Sequence, residues 1–325
     1  MEIYSRDSSS VLTRRCFLQA GSVVVASIGC CGKIVGAVGD SSKKRITVGA
    51  HVWVYAAKQP EYNVTPVLPQ IFSDLKYAQI DGVELMHNVL RKRETVERIG
   101  ELSQKYELPV IGTSFSGAMW NRDKYEAVLE DAELVIGYLA KLKGKTFGVS
   151  VGAAPRKKTV QQLDIQADLL RKIMAIAEKH RVTVNLHNHT YEVVDDLHDL
   201  KGTLARIPDA KLGPDLNWLV RGGVDPVWFI RSYGEQIVFL HLRDQYKDGR
   251  WTEALGEGDM DYAAIAKALR DVKFSGIAVI ELAHENEFEI TRPLRESWKI
   301  SRQYVRQVLG YVGVPAVSTI KRMAE

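Results

Sequence analysis

Val182-Thr183-Val184-Asn185-Leu186 runs directly into His187-Asn188-His189, and that junction decides how the chain is read. A short β-branched run of this kind reads as a strand, and it carries two imidazoles at its exit. Three later segments repeat the arrangement. Ala210 to Pro214 ends at Asp215-Leu216-Asn217-Trp218, Ile237 to Leu240 at His241-Leu242-Arg243-Asp244, and Gly276 to Ile280 at Glu281-Leu282-Ala283. All but the second are dense in Val, Ile or Phe, as parallel strands covered on both faces are.

Residues that end separate parallel strands of one barrel meet at a single mouth. His187, Asp215, His241 and Glu281 are therefore expected to converge. Two borderline nitrogens and two hard oxygens suit Mn²⁺, Co²⁺, Zn²⁺ or Mg²⁺ better than thiophilic metals. Taken singly, each residue has a plainer use: His187 or His241 as a hydrogen-bonded core histidine, Asp215 as a helix cap, Glu281 as an ion-pair partner of Arg243. Taken together, four ionisable groups buried at one end of successive strands are costly without a cation. The set predicts one bound divalent metal ion.

Outward from these junctions the same rhythm covers the chain from Ile46 on. β-rich runs begin near Ile46, Gly82, Pro109, Lys145, Val182, Lys211, Ile237 and Gly276. Helix-period segments fall near 66–79, 92–107, 122–143, 159–180, 194–207, 225–235, 261–272 and 292–309. Thr65-Pro66 and Asp225-Pro226 read as N-caps followed by Pro at the first helical position. Eight βα units predict an α/β fold, a (β/α)₈ TIM barrel forming a single domain over residues 40–325 with a C-terminal helix. An open doubly wound sheet wants a Gly-rich phosphate turn after its first strand, and His51-Val52-Trp53-Val54-Tyr55 offers none.

Residues 1–39 read differently. Thr13-Arg14-Arg15-Cys16-Phe17-Leu18 has the form of a twin-arginine export signal, followed by a weakly apolar stretch ending at Ala37-Val38-Gly39. The expectation is a signal peptide and a periplasmic or otherwise extracytoplasmic location, the alternative being an uncleaved tail. Ser27-Ile28-Gly29-Cys30 only faintly resembles a lipoprotein box, which leaves a lipid anchor as the lesser option. Cys16, Cys30 and Cys31 are all the cysteines there are, so the processed chain has no thiolate for catalysis, zinc or disulfides. Removing this segment takes away four Lys/Arg and two Asp/Glu, and the net charge falls from +4 to +2. No run predicts stable membrane insertion. So weak a charge, without a basic stripe, argues against nucleic acid and for a small-molecule partner; whether the chain forms a homo-oligomer stays open.

Asp81-Gly82-Val83-Glu84-Leu85, the four junctions above, and Leu255-Gly256-Glu257-Gly258-Asp259-Met260-Asp261 together resemble the sugar phosphate isomerase/epimerase proteins of the xylose-isomerase-like barrel superfamily. The likeness runs from Ile46 to about Tyr311. It implies metal ligands at His187, Asp215, His241 and Glu281, where the family usually has Glu, Asp, His and Glu. The first position departs: an imidazole committed to a metal has no lone pair left for acid/base work. Arg243 departs as well, standing where relatives often carry Lys, and it can act only electrostatically.

The resemblance implies a sugar or keto-sugar substrate and proton abstraction next to a carbonyl that the metal polarises. Glu281 or Glu192 is expected to remove the proton while Arg243 stabilises the negative charge that develops. His51, Glu84, His189 and Glu257 are candidates for holding hydroxyls, and Trp218, Trp53 and Trp120 for stacking on a sugar ring. The reading is an isomerase or epimerase of carbohydrate metabolism. An inosose-dehydratase-like enzyme or keto-glycoside lyase or hydratase is the first alternative, and a non-catalytic sugar-binding protein the second. An abasic-site nuclease is disfavoured, because Trp218 stands where that branch has a His.

Overall fold

Among the described residues eight short strands alternate with helices: β1 (Val48–His51), β2 (Gly82–Met86), β3 (Val110–Ser116), β4 (Thr146–Ser150), β5 (Thr183–Leu186), β6 (Lys211–Leu212), β7 (Phe239–Leu242) and β8 (Ile277–Ile280). The computed structural model describes residues 45–285 and 288–313. The paired arginines, the expected processing site and the three cysteines lie outside the described residues. Among the described residues no helix is long and apolar enough to cross a membrane.

The strands pair in parallel in the order β6-β5-β4-β3-β2-β1-β8-β7. β6 and β7 are joined by single bridges, Leu212 to Ile237 and Asp215 to His241. The sheet thus forms a nearly closed (β/α)₈ barrel, as the eightfold rhythm predicts. The second bridge also sets Asp215 and His241 side by side.

Around the sheet run α1 (Trp53–Ala56), α2 (Leu68–Tyr77), α3 (Arg93–Tyr106), α4 (Tyr125–Lys141), α5 (Val160–Lys179), α6 (Thr190–Leu204), α7 (Leu216–Arg221), α8 (Pro226–Tyr233), α9 (Tyr262–Asp271) and α10 (Leu294–Tyr304). Outward strand residues such as Val83, Leu85 and Leu240 share one buried core with Phe72, Ile99, Phe229 and Ile265. Each such side chain contributes roughly 1.5–3 kcal/mol of burial energy. The C-terminal helix is tied in by Trp298, whose indole N–H donates to the Tyr55 hydroxyl at 3.0 Å, and Tyr55 donates in turn to Asp74.

Three local expectations need correction. Thr65-Pro66 opens a 3₁₀ turn without a side-chain cap, and α2 starts at Leu68; a second proline, Pro69, has no N–H to lose in the first turn and so sets the true start. The helix expected at 194–207 begins at Thr190, because Glu192 turns back to accept the His189 N–H at 2.7 Å. It breaks at Asp195, Asp196 and Leu197, all with φ between 54° and 59°. The short α7 was not expected; Asp215 caps it, accepting from Asn217 N and Trp218 N. Asp225-Pro226 does cap α8 as the sequence predicts.

Strand side chains alternate, so a residue two places before each site residue points into the barrel below it. Gly49 lies under His51, Gly82 under Glu84, Asn185 under His187, Gly213 under Asp215, Phe239 under His241 and Val279 under Glu281. The glycines are required by space: a Cβ at Gly49 or Gly82 would sit 2.3 Å from the Ile111 side chain, and one at Gly213 1.9 Å from Asn185 Oδ1. Ile111, Phe239 and Val279 fill the room this leaves and form a small separate cluster. That packed layer is the floor of the site.

Candidate active site

His187, Asp215 and His241 offer ligand atoms that all lie within 4.8 Å of one another, and all three residues are buried. They come from the ends of β5, β6 and β7. Asp215 spends Oδ1 on the α7 N-terminus, at 2.9 and 3.1 Å, while its Oδ2 has no hydrogen-bond partner. His187 Nδ1 and His241 Nδ1 are likewise without an aligned hydrogen bond. A buried polar atom left so costs about 1–3 kcal/mol. Asp215 Oδ2 and His241 Nδ1 do have charged neighbours, Arg243 at 3.5 Å and Glu281 at 2.9 Å, whereas His187 Nδ1 is left bare; the three side chains together could hold a cation.

Glu281 stands beside this trio. Its Oε2 is 2.9 Å from His241 Nδ1 without hydrogen-bond alignment, its Oε1 is paired with Arg243 Nη2, and His51 Nδ1 lies 3.6 Å from Oε1. Arg243 also reaches Asp215 Oδ2 at 3.5 Å. Beneath His241, Glu84 Oε2 holds Nε2 at 2.5 Å. Glu84, Asp215 and Glu281 exceed the one guanidinium by two negative charges when all are ionised. While His241 is neutral a divalent ion balances that excess, which a proton on His241 would reduce to one, and the donor set suits the borderline and hard metals.

Protonation follows from the same neighbours. Burial pushes the His187 imidazole well below its ordinary value, which keeps it neutral with a free lone pair. Burial would raise Glu281, but Arg243, His51 and His241 outweigh it and hold the carboxyl well below the usual range. Burial opposes charge on His241, yet Glu84 and Glu281 raise it well above normal. A proton and a cation thus compete for Nδ1 of His241. Asp215 is pushed up by burial against the pull of Arg243.

Above the cluster opens a cavity of about 330 Å³ lined by His51, Trp53, Ser114, Tyr191, Trp218, Trp251 and neighbours, with Arg243 and Glu281 at its base. Trp53 stacks on Tyr62 at 5.3 Å. Trp218 and Trp251 meet edge to face at 5.7 Å, and Arg243 lies 5.5 and 4.8 Å from their ring centres. Apolar walls with a few convergent polar groups at the base are the usual build of a small-molecule site.

The other candidates separate. His51 lines the cavity, Nε2 2.9 Å from Ser114 Oγ and Nδ1 accepting from Trp53 N. His189 and Trp218 are also on the wall. Glu84 lies under His241 and not at the mouth. Glu257 is held away by Ala254 N and Arg292, and Trp120 donates to Ala153 O, so neither lines the cavity. Glu192 is buried behind the wall, its oxygens accepting from Ser150, Val151 N and His189 N. Three of the plainer uses hold alongside the clustering: Asp215 is a helix cap, Glu281 pairs with Arg243, and His241 is a buried histidine hydrogen-bonded to Glu84.

Trp251, Ser114 and Tyr191 were missed. Trp251 sits on a hairpin where Gln245 bridges Trp251, a contact no periodicity signals. Asp244, by contrast, explains the glycine-rich segment after β7: its carboxylate accepts from the N–H groups of Gly256, Gly258, Met260 and Gln245.

The sequence profile described as xylose isomerase-like TIM barrel matches residues 72–308, well over half of the chain. The chain belongs to this family. Several solved structures superpose on it across nearly their whole length. One is a sugar phosphate isomerase/epimerase from Parabacteroides distasonis, 16% identical, covering 87% of this chain and 98% of its own, with a TM-score of 0.64. A 3-keto-D-glucoside 4-epimerase from E. coli is 17% identical over 81% and 99%, TM-score 0.63. A D-allulose 3-epimerase from Methylomonas sp. is 15% identical over 82% and 99%, TM-score 0.65. At such identities the likeness establishes the barrel fold. No curated protein sequence matches the chain.

Proposed function

We propose that this xylose isomerase-like barrel is a divalent-metal-dependent sugar isomerase or epimerase that removes a proton next to the carbonyl of a keto-sugar. The observation that carries the reading is the trio of buried side chains His187, Asp215 and His241, with ligand atoms within 4.8 Å of one another at the base of a sugar-sized cavity. The similar structures, a 3-keto-glucoside epimerase and an allulose epimerase among them, support the substrate class.

His187, Asp215, His241 and Glu281 would hold the ion, which when bound supplies Lewis acidity toward a substrate carbonyl. Glu281, kept ionised by Arg243, accepts the substrate proton. Arg243, which cannot release its own proton, faces the oxygen on which negative charge grows. Trp218 and Trp251 exclude water and offer apolar faces to the ring. His51 walls the cavity from the β1 side, and the Ser114 hydroxyl bonded to its Nε2 could meet a substrate hydroxyl.

The dehydratase or lyase reading shares the first step. It draws on His187, which cannot be the second base that an epimerase of this family uses. A panel of D-allulose, D-tagatose and 3-keto-D-glucoside, incubated with Mn²⁺-loaded protein in D₂O, separates these outcomes by product analysis. Deuterium next to the carbonyl in wild type, lost in Glu281→Gln, is the expected result. No incorporation into any of the panel would leave a binding protein as the surviving reading.

The leader adds a location: residues 13–18 support twin-arginine export of the folded, metal-loaded chain. A reporter fused after residue 39 that stays inside the cell when Arg14 and Arg15 are kept would reject it.

A further inference from the structure

Glu192 is 4% exposed, yet an unbroken run of hydrogen bonds joins it to the cavity. Ser150 Oγ lies 2.6 Å from Glu192 Oε1 and 2.8 Å from the Tyr191 hydroxyl, and both Ser150 and Tyr191 line the cavity. The Tyr191 ring stacks on His189 at 5.2 Å, with its hydroxyl 3.1 Å from His189 Nδ1, which fixes the phenol against the wall. Ser150 ends β4, and in the strand order β4 stands opposite β8 whichever way the barrel is followed. The phenol therefore belongs to the side of the cavity across from Glu281.

We propose that Tyr191 is the acid of a second proton-transfer arm, recharged by Glu192 through Ser150, so that the site can work on both faces of a keto-sugar. This rests on the keto-sugar reading and extends it from isomerisation to epimerisation. As the Tyr191 O–H bond breaks, a C–H bond forms on the carbon whose other face gave its proton to Glu281. The Ser150 hydroxyl, which at rest donates to Glu192 Oε1, turns to the phenolate oxygen and gives it its proton, and the Glu192 carboxyl proton passes to Ser150. The net change is one proton gained by Glu281 and one lost by Glu192, with no change of oxidation state. Exchange with water resets both carboxyl groups.

Protonation supports the direction. Burial lifts the Glu192 carboxyl to about 8, against the lowering effect of the Ser150 hydroxyl and the His189 N–H. Asp199 on α6 pushes the same way and Lys158, from the segment before α5, opposes it. Burial also lifts the Tyr191 phenol well above its ordinary value, so it stands ready as a donor.

Infrared titration tests the relay without any sugar. A protonated-carboxyl band present at pH 6, absent from Glu192→Gln, lost as pH rises through about 8 and displaced in Tyr191→Phe is the expected result, since groups in one hydrogen-bond chain polarise one another. A missing band, or one indifferent to Tyr191→Phe, overturns the relay. With D-allulose and 3-keto-D-glucoside in D₂O, Tyr191→Phe should keep exchange next to the carbonyl while epimer formation falls by about 100-fold or more. Undiminished epimer formation overturns it. If wild type exchanges neither sugar, the keto-sugar reading fails, and the infrared result alone decides whether the relay exists.

Discussion

His241 Nε2 stands 2.5 Å from Glu84 Oε2, both side chains buried, so an imidazole from β7 is oriented by a carboxylate from β2. The contact leaves Nδ1 facing Glu281 Oε2 at 2.9 Å. Partners that orient a metal-binding imidazole typically set affinity by about 10–100-fold. Glu84→Gln should weaken Mn²⁺ binding by that factor in calorimetric titration, with the fold intact by circular dichroism. Unchanged affinity would remove His241 from the ligand set.

Among the described residues Arg243 is the one fixed cation that touches the carboxylates of the site, Glu281 and Asp215. Arg243→Met leaves both without it, and an uncompensated buried charge costs about 3–5 kcal/mol. The metal-free variant should melt several degrees lower. Added Mn²⁺ should narrow the gap to wild type, because a second cation serves the same carboxylates. A gap that Mn²⁺ does not narrow would separate Arg243 from any metal site.

Glu192 gives a pH signature. Its carboxyl rises from 4.5 to about 8 on folding, so between those values the folded state holds a proton that the unfolded chain has lost. The resulting stabilisation is complete below pH 4.5 and is lost as pH rises through about 8. Denaturant melts of wild type should therefore lose stability from pH 5 to 8. Glu192→Gln, which can still cap α6, should show a visibly shallower slope. Identical slopes would mean the carboxyl is ionised when folded.

The barrel was legible because its strands are covered on both faces and end in chemically distinctive residues. Val182 to Leu186 followed by His187, or Phe239 followed by His241, announces both an element and what it carries. The break in α6 was not legible: Asp195, Asp196 and Leu197 give no signal for successive positive φ values, and the early start at Thr190 depends on one side-chain bond from Glu192. Glu84 was placed at the right strand end, but its partner His241 is 157 residues away. Trp251 was invisible because its place is set by the hairpin at Gln245 and by Asn217 Oδ1, which accepts its indole N–H at 2.8 Å. Pairings of that kind are made by tertiary contact and leave no period in the sequence.

Lys158 and Asp199 form a buried pair outside the cluster of His187, Asp215 and His241, with Gln166 bonded to both. Lys158→Met strands the Asp199 carboxylate and should cost about 3–5 kcal/mol. The double variant Lys158→Met with Asp199→Leu removes both charges and should regain most of that loss, as chemical denaturation of the two proteins would register. A double variant no more stable than the single one would mean that packing and not charge dominates there.

Trp251 separates binding from chemistry. Its ring forms one wall of the cavity, gripped between Arg221 at 4.1 Å and Arg243 at 4.8 Å from the ring centre. If it stacks on the sugar in ground and transition states alike, Trp251→Ala removes uniform binding. An aromatic contact of about 0.5–1.5 kcal/mol then becomes a rise in KM of roughly 2- to 12-fold with kcat unchanged. Trp251→Phe, which keeps a face, should recover much of the loss. A fall in kcat at constant KM would show instead that the ring acts by holding Arg243 in place. Mn²⁺ affinity should stay at the wild-type value, since Trp251 touches none of His187, Asp215 and His241. A loss of metal in Trp251→Ala would mean that the hairpin shapes the ligand cluster itself, and the division between wall and floor would have to be redrawn.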